Sequence, residues 1–121
     1  MDAATFRDAV IAWDSDSDMS ISSPARDRMI AAAKELFGAM CGVRKVAVDY
    51  SPGSTYIAIT PDHDDACEVT VRISNHARKP NSHLPPAWSF EPSDKVTSYS
   101  AGIHAVQAAI ADEIVNARDQ E

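Results

Sequence analysis

The fold of this chain is decided by residues 45–73, which read KVAVDYSPGSTYIAITPDHDDACEVTVRI. The first part alternates apolar and polar residues with the period of two that is typical of a half-buried β-strand. Pro52 and Gly53 follow, and they suit the second and third positions of a type II turn. A β-branched run over 55–60, a turn over 61–65 and another alternating run over 67–73 come next. Three strands joined by two short connections predict an antiparallel meander.

Helical patterns lie on both sides of this meander. Residues 2–14 place Phe6, Val10 and Trp13 on one face, as a period of 3.6 requires. A second helix of about 18 residues is predicted from Pro24, capped by Ser23, to a left-handed stop at Gly42. Its apolar stripe is Met29, Ile30, Ala33, Leu36, Phe37, Met40 and Cys41, and its predicted solvent side holds Arg26, Asp27, Lys34 and Glu35. A last helix, starting at Ser98 or Ser100, has its stripe at Ile103, Val106, Ile110, Ile114 and Ala117.

These elements predict the α+β class, with the order ααβββ(β)α. The expected architecture is an antiparallel three- to four-stranded meander sheet, packed on one face by two amphipathic helices. The optional fourth strand contains Trp88 and Phe90 and follows the proline-rich residues 74–86. A length of 121 residues suits a single domain over 1–121, of which residues 1–23 form a helix and an acidic loop able to move.

Charge and composition exclude several classes of function. The chain holds 11 Lys and Arg against 18 Asp and Glu, for a net charge of −7, and residues 60–68 contain four acids and no base. We therefore expect no direct nucleic-acid partner, because an acidic domain repels a phosphate backbone. No stretch is apolar enough to cross a membrane, and the N-terminus lacks a secretory signal, so a cytoplasmic location is expected. Cys41 and Cys67 occupy apolar-periodic positions and are expected to be reduced and buried, with a disulfide between them as the open alternative.

The acidic clusters do not match known metal sites. Asp14, Asp16 and Asp18 have the spacing that begins an EF-hand loop, but Met19 and Ala25 stand where that loop needs glycine and glutamate. The cysteines and histidines lack the pair spacing of a zinc site, and the four polar residues at 62–65 are adjacent on a turn, where Asp is common for local reasons. The sequence predicts no metal, no cofactor and no catalytic residue.

Positive charge is densest where the third strand enters the proline-rich loop. Such loops on a rigid sheet often carry binding residues, and cationic side chains there can bind a phosphate or an acidic group. The alternative is that the polar side chains shape the end of the strand. The residues of this alternative loop site are Arg72, Asn75, His76, Arg78 and Lys79.

Residues 56–59, with the sequence YIAI, and residues 71–76, with the sequence VRISNH, carry a resemblance. They resemble segments of small uncharacterised proteins of phages, prophages and plasmids, in which a Tyr-containing strand precedes a strand ending in Arg-(Ile/Val)-Ser-Asp-His. Asn75 stands here in place of that Asp. The resemblance implies no catalytic residue. By association it implies a small acidic protein that binds a host or element protein, as anti-CRISPR proteins do when they cover nucleic-acid-binding surfaces with carboxylates.

Three functions follow as expectations. The first is a non-catalytic module that binds a protein with a basic surface, and that inhibits a nucleic-acid-handling host complex in the manner of an anti-CRISPR protein. Its contacting carboxylates are expected at Asp14, Asp16, Asp18, Asp62, Asp64 and Asp65. The second is a small enzyme for a phosphate-containing substrate, with His76 as acid or base. The third is a homo-oligomerisation module that docks its first helix in trans.

Overall fold

The computed structural model describes residues 2–14, 23–51, 54–74, 87–90, 95–96 and 99–120. Within them lie three helices, α1 (Ala3–Asp14), α2 (Pro24–Gly38) and α3 (Tyr99–Asp119). The strands are β1 (Val43–Ser51), β2 (Ser54–Pro61), β3 (Val69–Ser74), β4 (Ala87–Phe90) and β5 (Lys95–Val96). The predicted α+β class and the order of two helices, a β1–β3 meander and a final helix are confirmed.

The strands form one antiparallel sheet in the order β1-β2-β3-β4-β5. Val48 pairs with Ile57, and Ile57 pairs with Val71, so one row of apolar side chains crosses three strands on the same face. The opposite face carries Asp49, Tyr56 and Arg72, which are likewise aligned by the register. The predicted turn residues Pro52 and Gly53 lie outside the described residues.

One hydrophobic core joins the sheet to all three helices. Helix α2 contacts β1 and β2, α3 contacts β2, β3 and β5, and α1 contacts both other helices. Phe6 of α1 meets Phe37 of α2 edge to face, with ring centroids 5.6 Å apart. The fully buried members are Phe6, Val10, Trp13, Met29, Ala33, Phe37, Ile57, Ile59, Val71, Ile73, Val106 and Ile110. Each larger aliphatic or aromatic side chain buried in this way contributes about 1.5–3 kcal/mol.

The end of α2 differs from the prediction. The helix stops at Gly38, where Ala39 caps it in a right-handed conformation, so Cys41 follows the helix instead of extending its stripe. Gly42 has the positive φ of 81° expected of a left-handed residue, but it leads into β1. Cys67 precedes the first residue of β3. Both cysteines are exposed and free, and the prediction that they are buried was wrong because neither belongs to a regular element.

The prediction for Arg26 was also wrong. It was assigned to the solvent side of α2, yet it has no exposed surface. It precedes Met29 by three positions and Ala33 by seven, which places it on the same face as both. The periodicity therefore indicated burial, and the charge of the residue argued against it.

No helix in the described portion of the chain is long and apolar enough to span a membrane.

Candidate functional site

The connection between β2 and β3 holds the largest described group of predicted contact residues. Asp62, Asp64 and Asp65 are all exposed there. Backbone hydrogen bonds order this acidic turn, by which we mean residues 62–66. The N–H of Asp62 donates to the carbonyl of Gly42 over 2.7 Å, and the N–H of Ala66 donates to that of His63 over 3.1 Å. The N–H of Asp65 donates to Nδ1 of His63 over 3.1 Å. The three carboxylates are thus presented from an ordered backbone.

Arg44 of β1 contacts two carboxylates of the acidic turn. The register of β1 against β2 shifts between Val43 and Lys45, and such a bulge re-aims the side chain at its centre. Nε of Arg44 donates to Oδ1 of Asp62 over 3.1 Å, and Nη1 donates to Oδ1 of Asp64 over 2.9 Å. One guanidinium therefore joins two of the predicted contact carboxylates.

This pairing changes the electrostatics of the turn. The hydrogen bond to Asp64, followed by the one to Asp62, raises the pKa of the Arg44 guanidinium above its ordinary value. All three side chains are well exposed, with 45% exposure for Arg44, 64% for Asp62 and 89% for Asp64, so solvent and salt screen the pair strongly. The arrangement positions charge at the surface and adds little to stability.

Of the three remaining predicted contact residues, the described part of the chain includes Asp14. Asp14 is the last residue of α1, and Asp16 and Asp18 lie outside the described residues. The end of α1 lies next to Arg26, whose Nη1 donates to the carbonyl of Ser51 over 2.8 Å. The acidic turn lies at the other end of β1, roughly 26 Å away for a strand of this length. The end of α1 and the acidic turn thus lie at opposite ends of β1.

The alternative loop site is described only at Arg72. Its Nη2 donates to Oγ of Ser54 over 3.2 Å, and its guanidinium carbon lies 5.6 Å from the ring centroid of Tyr56. These side chains share the sheet face opposite the buried row, where Arg72 is exposed. The other members of that site, Asn75, His76, Arg78 and Lys79, lie outside the described residues.

In the described ranges, no group of three or more His, Cys, Asp or Glu side chains is placed to hold a metal ion. Asp62 and Asp64 each direct an oxygen to Arg44, so their local charge is directed to a guanidinium.

Sequence reasoning missed Arg44 as a member of the site. Its partners are 18 and 20 positions away in the chain, and only the β1–β2 register brings them together. A usable signal was present, because a hairpin with its turn at residues 51–54 places residue 44 opposite the end of β2.

No protein-family model, no curated protein and no solved structure matches this chain.

Proposed function

We propose that this chain is a non-catalytic protein-binding module of a phage or other mobile element, and that its acidic turn contacts a basic surface on a protein partner. That partner is a nucleic-acid-handling host complex, which the module inhibits by covering a cationic surface, as an anti-CRISPR protein does. Carboxylates of Asp62, Asp64 and Asp65 would stand in for the phosphates that such a surface normally binds.

The observation that supports this proposal is the ordered presentation of the turn. Its exposed carboxylates project from backbone that is hydrogen-bonded to Gly42 and to itself. An ordered turn loses less conformational entropy on binding than a flexible acidic tail would. Arg44 pairs with two of these carboxylates, and cations of the partner would compete with it for them.

The proposal includes the arrangement of the whole sheet. We propose that α2 and α3 together cover one face, and that the opposite face, which carries Asp49, Tyr56 and Arg72, extends the contact beside the acidic turn. Phe6, Val10 and Trp13 of α1 are fully buried within the chain's own core, which favours this proposal over docking of α1 to a second copy.

The test is capture of a partner from host lysate by four forms of the full chain, at low and at high salt. The first is the native chain and the second is Asp62→Asn/Asp64→Asn/Asp65→Asn. The third, Asp112→Asn/Glu113→Gln/Asp119→Asn, removes the same charge from α3. The fourth is Arg44→Gln. We expect a basic partner that is lost from the turn variant, retained by the α3 variant, and held more tightly by Arg44→Gln.

Two results would overturn the proposal. Equal weakening by the turn and α3 variants would show that binding follows net charge and not the turn. Retention of the partner by the turn variant would show that these carboxylates do not contact it. The native chain should also block nucleic-acid binding by the purified partner. This assay tests inhibition separately from contact.

A further inference from the structure

A buried arginine lies between two aromatic rings at the N-terminus of α2. The guanidinium carbon of Arg26 is 4.9 Å from the ring centroid of Trp13 and 5.0 Å from that of Tyr50. Its backbone N–H donates to Oγ of the capping Ser23 over 3.1 Å, and its Nη1 donates to the carbonyl of Ser51 over 2.8 Å. Both Arg26 and Trp13 have no exposed surface.

The other donors of this cluster have no acceptor. Nε and Nη2 of Arg26 and Nε1 of Trp13 are buried without a hydrogen-bond partner among the described residues. No carboxylate in that portion of the chain forms an ion pair with Arg26. Burial also lowers the pKa of this guanidinium from its ordinary value. A buried cation whose hydrogen-bond donors are only partly satisfied is costly, so a further acceptor would stabilise the site.

The geometry of the open donors restricts the kind of acceptor. Nη1 is taken by Ser51, and the two open nitrogens, Nε and Nη2, form one edge of the guanidinium fork. That edge matches two oxygens of one carboxylate or phosphate group. The N-terminus of α2 adds a favourable field for negative charge.

We propose that Arg26 and Trp13 form a binding site for a small oxyanion, of the carboxylate or phosphate class. The oxyanion accepts two hydrogen bonds from Nε and Nη2 of Arg26 and a third from the indole N–H of Trp13. The site lies at the junction of α1, α2 and β1. The oxyanion therefore binds only the folded chain, and it links these three elements. This site is separate from the acidic turn and does not depend on the proposed function.

The test measures the melting temperature of the full chain in Tris-chloride buffer. Sodium phosphate or sodium acetate is added in separate series, each compared with sodium chloride at equal ionic strength. A ligand that binds only the folded state raises the melting temperature with the logarithm of its concentration. We expect this rise for the native chain and for Arg28→Met, the matched control on the exposed side of the same helix, and no rise for Arg26→Met. The series that gives the larger rise identifies the preferred class of oxyanion.

A second measurement covers the case in which Arg26→Met does not fold. The side-chain Nε–H resonance of Arg26 should shift and exchange more slowly as phosphate or acetate is added. Trp13→Phe retains an aromatic ring but removes the N–H donor. The concentration of phosphate or acetate needed for half of the Nε–H shift should therefore rise about 3- to 10-fold.

Three outcomes would overturn the site. The first is an equal effect of chloride at matched ionic strength. The second is a rise that persists in Arg26→Met. The third is an Nε–H signal of Arg26 that is protected in chloride alone in the native chain and loses this protection in Asp16→Asn/Asp18→Asn. The acceptor would then be a carboxylate of the chain itself and not a bound oxyanion.

Discussion

Thr55 places a polar atom in the hydrophobic core. Thr55 pairs with Tyr50 across the first hairpin and is fully buried. Its Oγ1 has no hydrogen-bond partner in the described part of the chain. A buried hydroxyl that has lost its water and gained no partner costs free energy, so this residue lowers the stability of the core.

Thr55→Val should therefore raise the free energy of unfolding by about 1 kcal/mol, because it replaces the hydroxyl with a methyl group of similar shape. Urea denaturation measures the change. Thr70→Val, on the opposite face of the sheet, is the control and should stay within about 0.5 kcal/mol of the native value. A loss of stability in Thr55→Val would show that the hydroxyl is hydrogen-bonded.

At the scale of elements, the connection from α2 to β1 depends on one glycine. Gly42 has a φ of 81°, and a Cβ built on it would lie 2.9 Å from Cδ1 of Ile114 and 3.6 Å from Cγ2 of Ile110. The residue thus has to accept a left-handed conformation and a close approach by α3. Gly38 has no positive φ, and among the described residues a Cβ built on it would meet Cγ2 of Val46 at an ordinary contact distance of 4.0 Å.

Gly42→Ala should destabilise the chain by about 1–2 kcal/mol, through left-handed strain and the displacement of Ile114. Gly38→Ala should change stability in the opposite direction, by about 0.5–1 kcal/mol, because alanine is the better helix former. Thermal or urea unfolding of both variants checks the pair. Adding Ile114→Val removes the methyl group that a Cβ at residue 42 would contact, so the stability recovered by the double variant measures the steric part of the loss. A Gly42→Ala chain as stable as the native one would contradict both the steric and the left-handed contributions.

The start of α1 is set by a carboxylate cap. Oδ1 of Asp2 accepts hydrogen bonds from the hydroxyl of Thr5 over 2.7 Å and from its backbone N–H over 2.8 Å. These two bonds, with the hydroxyl contributing most, lower the pKa of Asp2 below its ordinary value of 3.8. Because the folded pKa is the lower one, the cap stabilises α1 fully above the unfolded pKa and is lost as pH falls through the folded value.

A titration of the Asp2 carboxyl by NMR should give a midpoint below 3.8. Thr5→Ala should raise this midpoint, and Thr5→Ser, which keeps the hydroxyl, should not. The protection of the first-turn amides of α1, relative to their intrinsic exchange rate at each pH, should fall in acid as the cap is protonated. An unchanged midpoint in Thr5→Ala would show that the hydroxyl bond does not form in solution.

The parts predicted from sequence were those that depend on local pattern. The alternation over 45–73 and the stripe of α3 are set by residues two to four positions apart, and they gave the class and the element order. The partners of Arg44 lie 18 and 20 positions away, so only strand register reveals them. Arg26 was misassigned because its charge was weighed above its position, and the cysteines because helix and strand ends are the least determined by periodicity.

At the scale of the whole molecule, α1 is part of the core and not an attachment to it. Phe6, Val10 and Trp13 are fully buried against the rest of the chain, and Trp13 also forms one side of the enclosure around Arg26. Replacing a single buried Phe or Trp by Ala costs about 3–5 kcal/mol. A domain of this size has about 5–15 kcal/mol of total stability, so removing all three side chains consumes most or all of it.

Deletion of residues 1–20 should therefore abolish the cooperative thermal transition instead of changing the oligomeric state of a folded chain. Circular dichroism on heating and light scattering at several concentrations measure the two alternatives together. The triple variant Arg7→Gln/Asp8→Asn/Ala12→Gln alters only exposed positions of α1 and should keep the native transition. A truncated chain that still melts cooperatively while its mass in solution changes would show that α1 serves assembly, since its apolar face would then have packed against a second copy and not against α2 and α3.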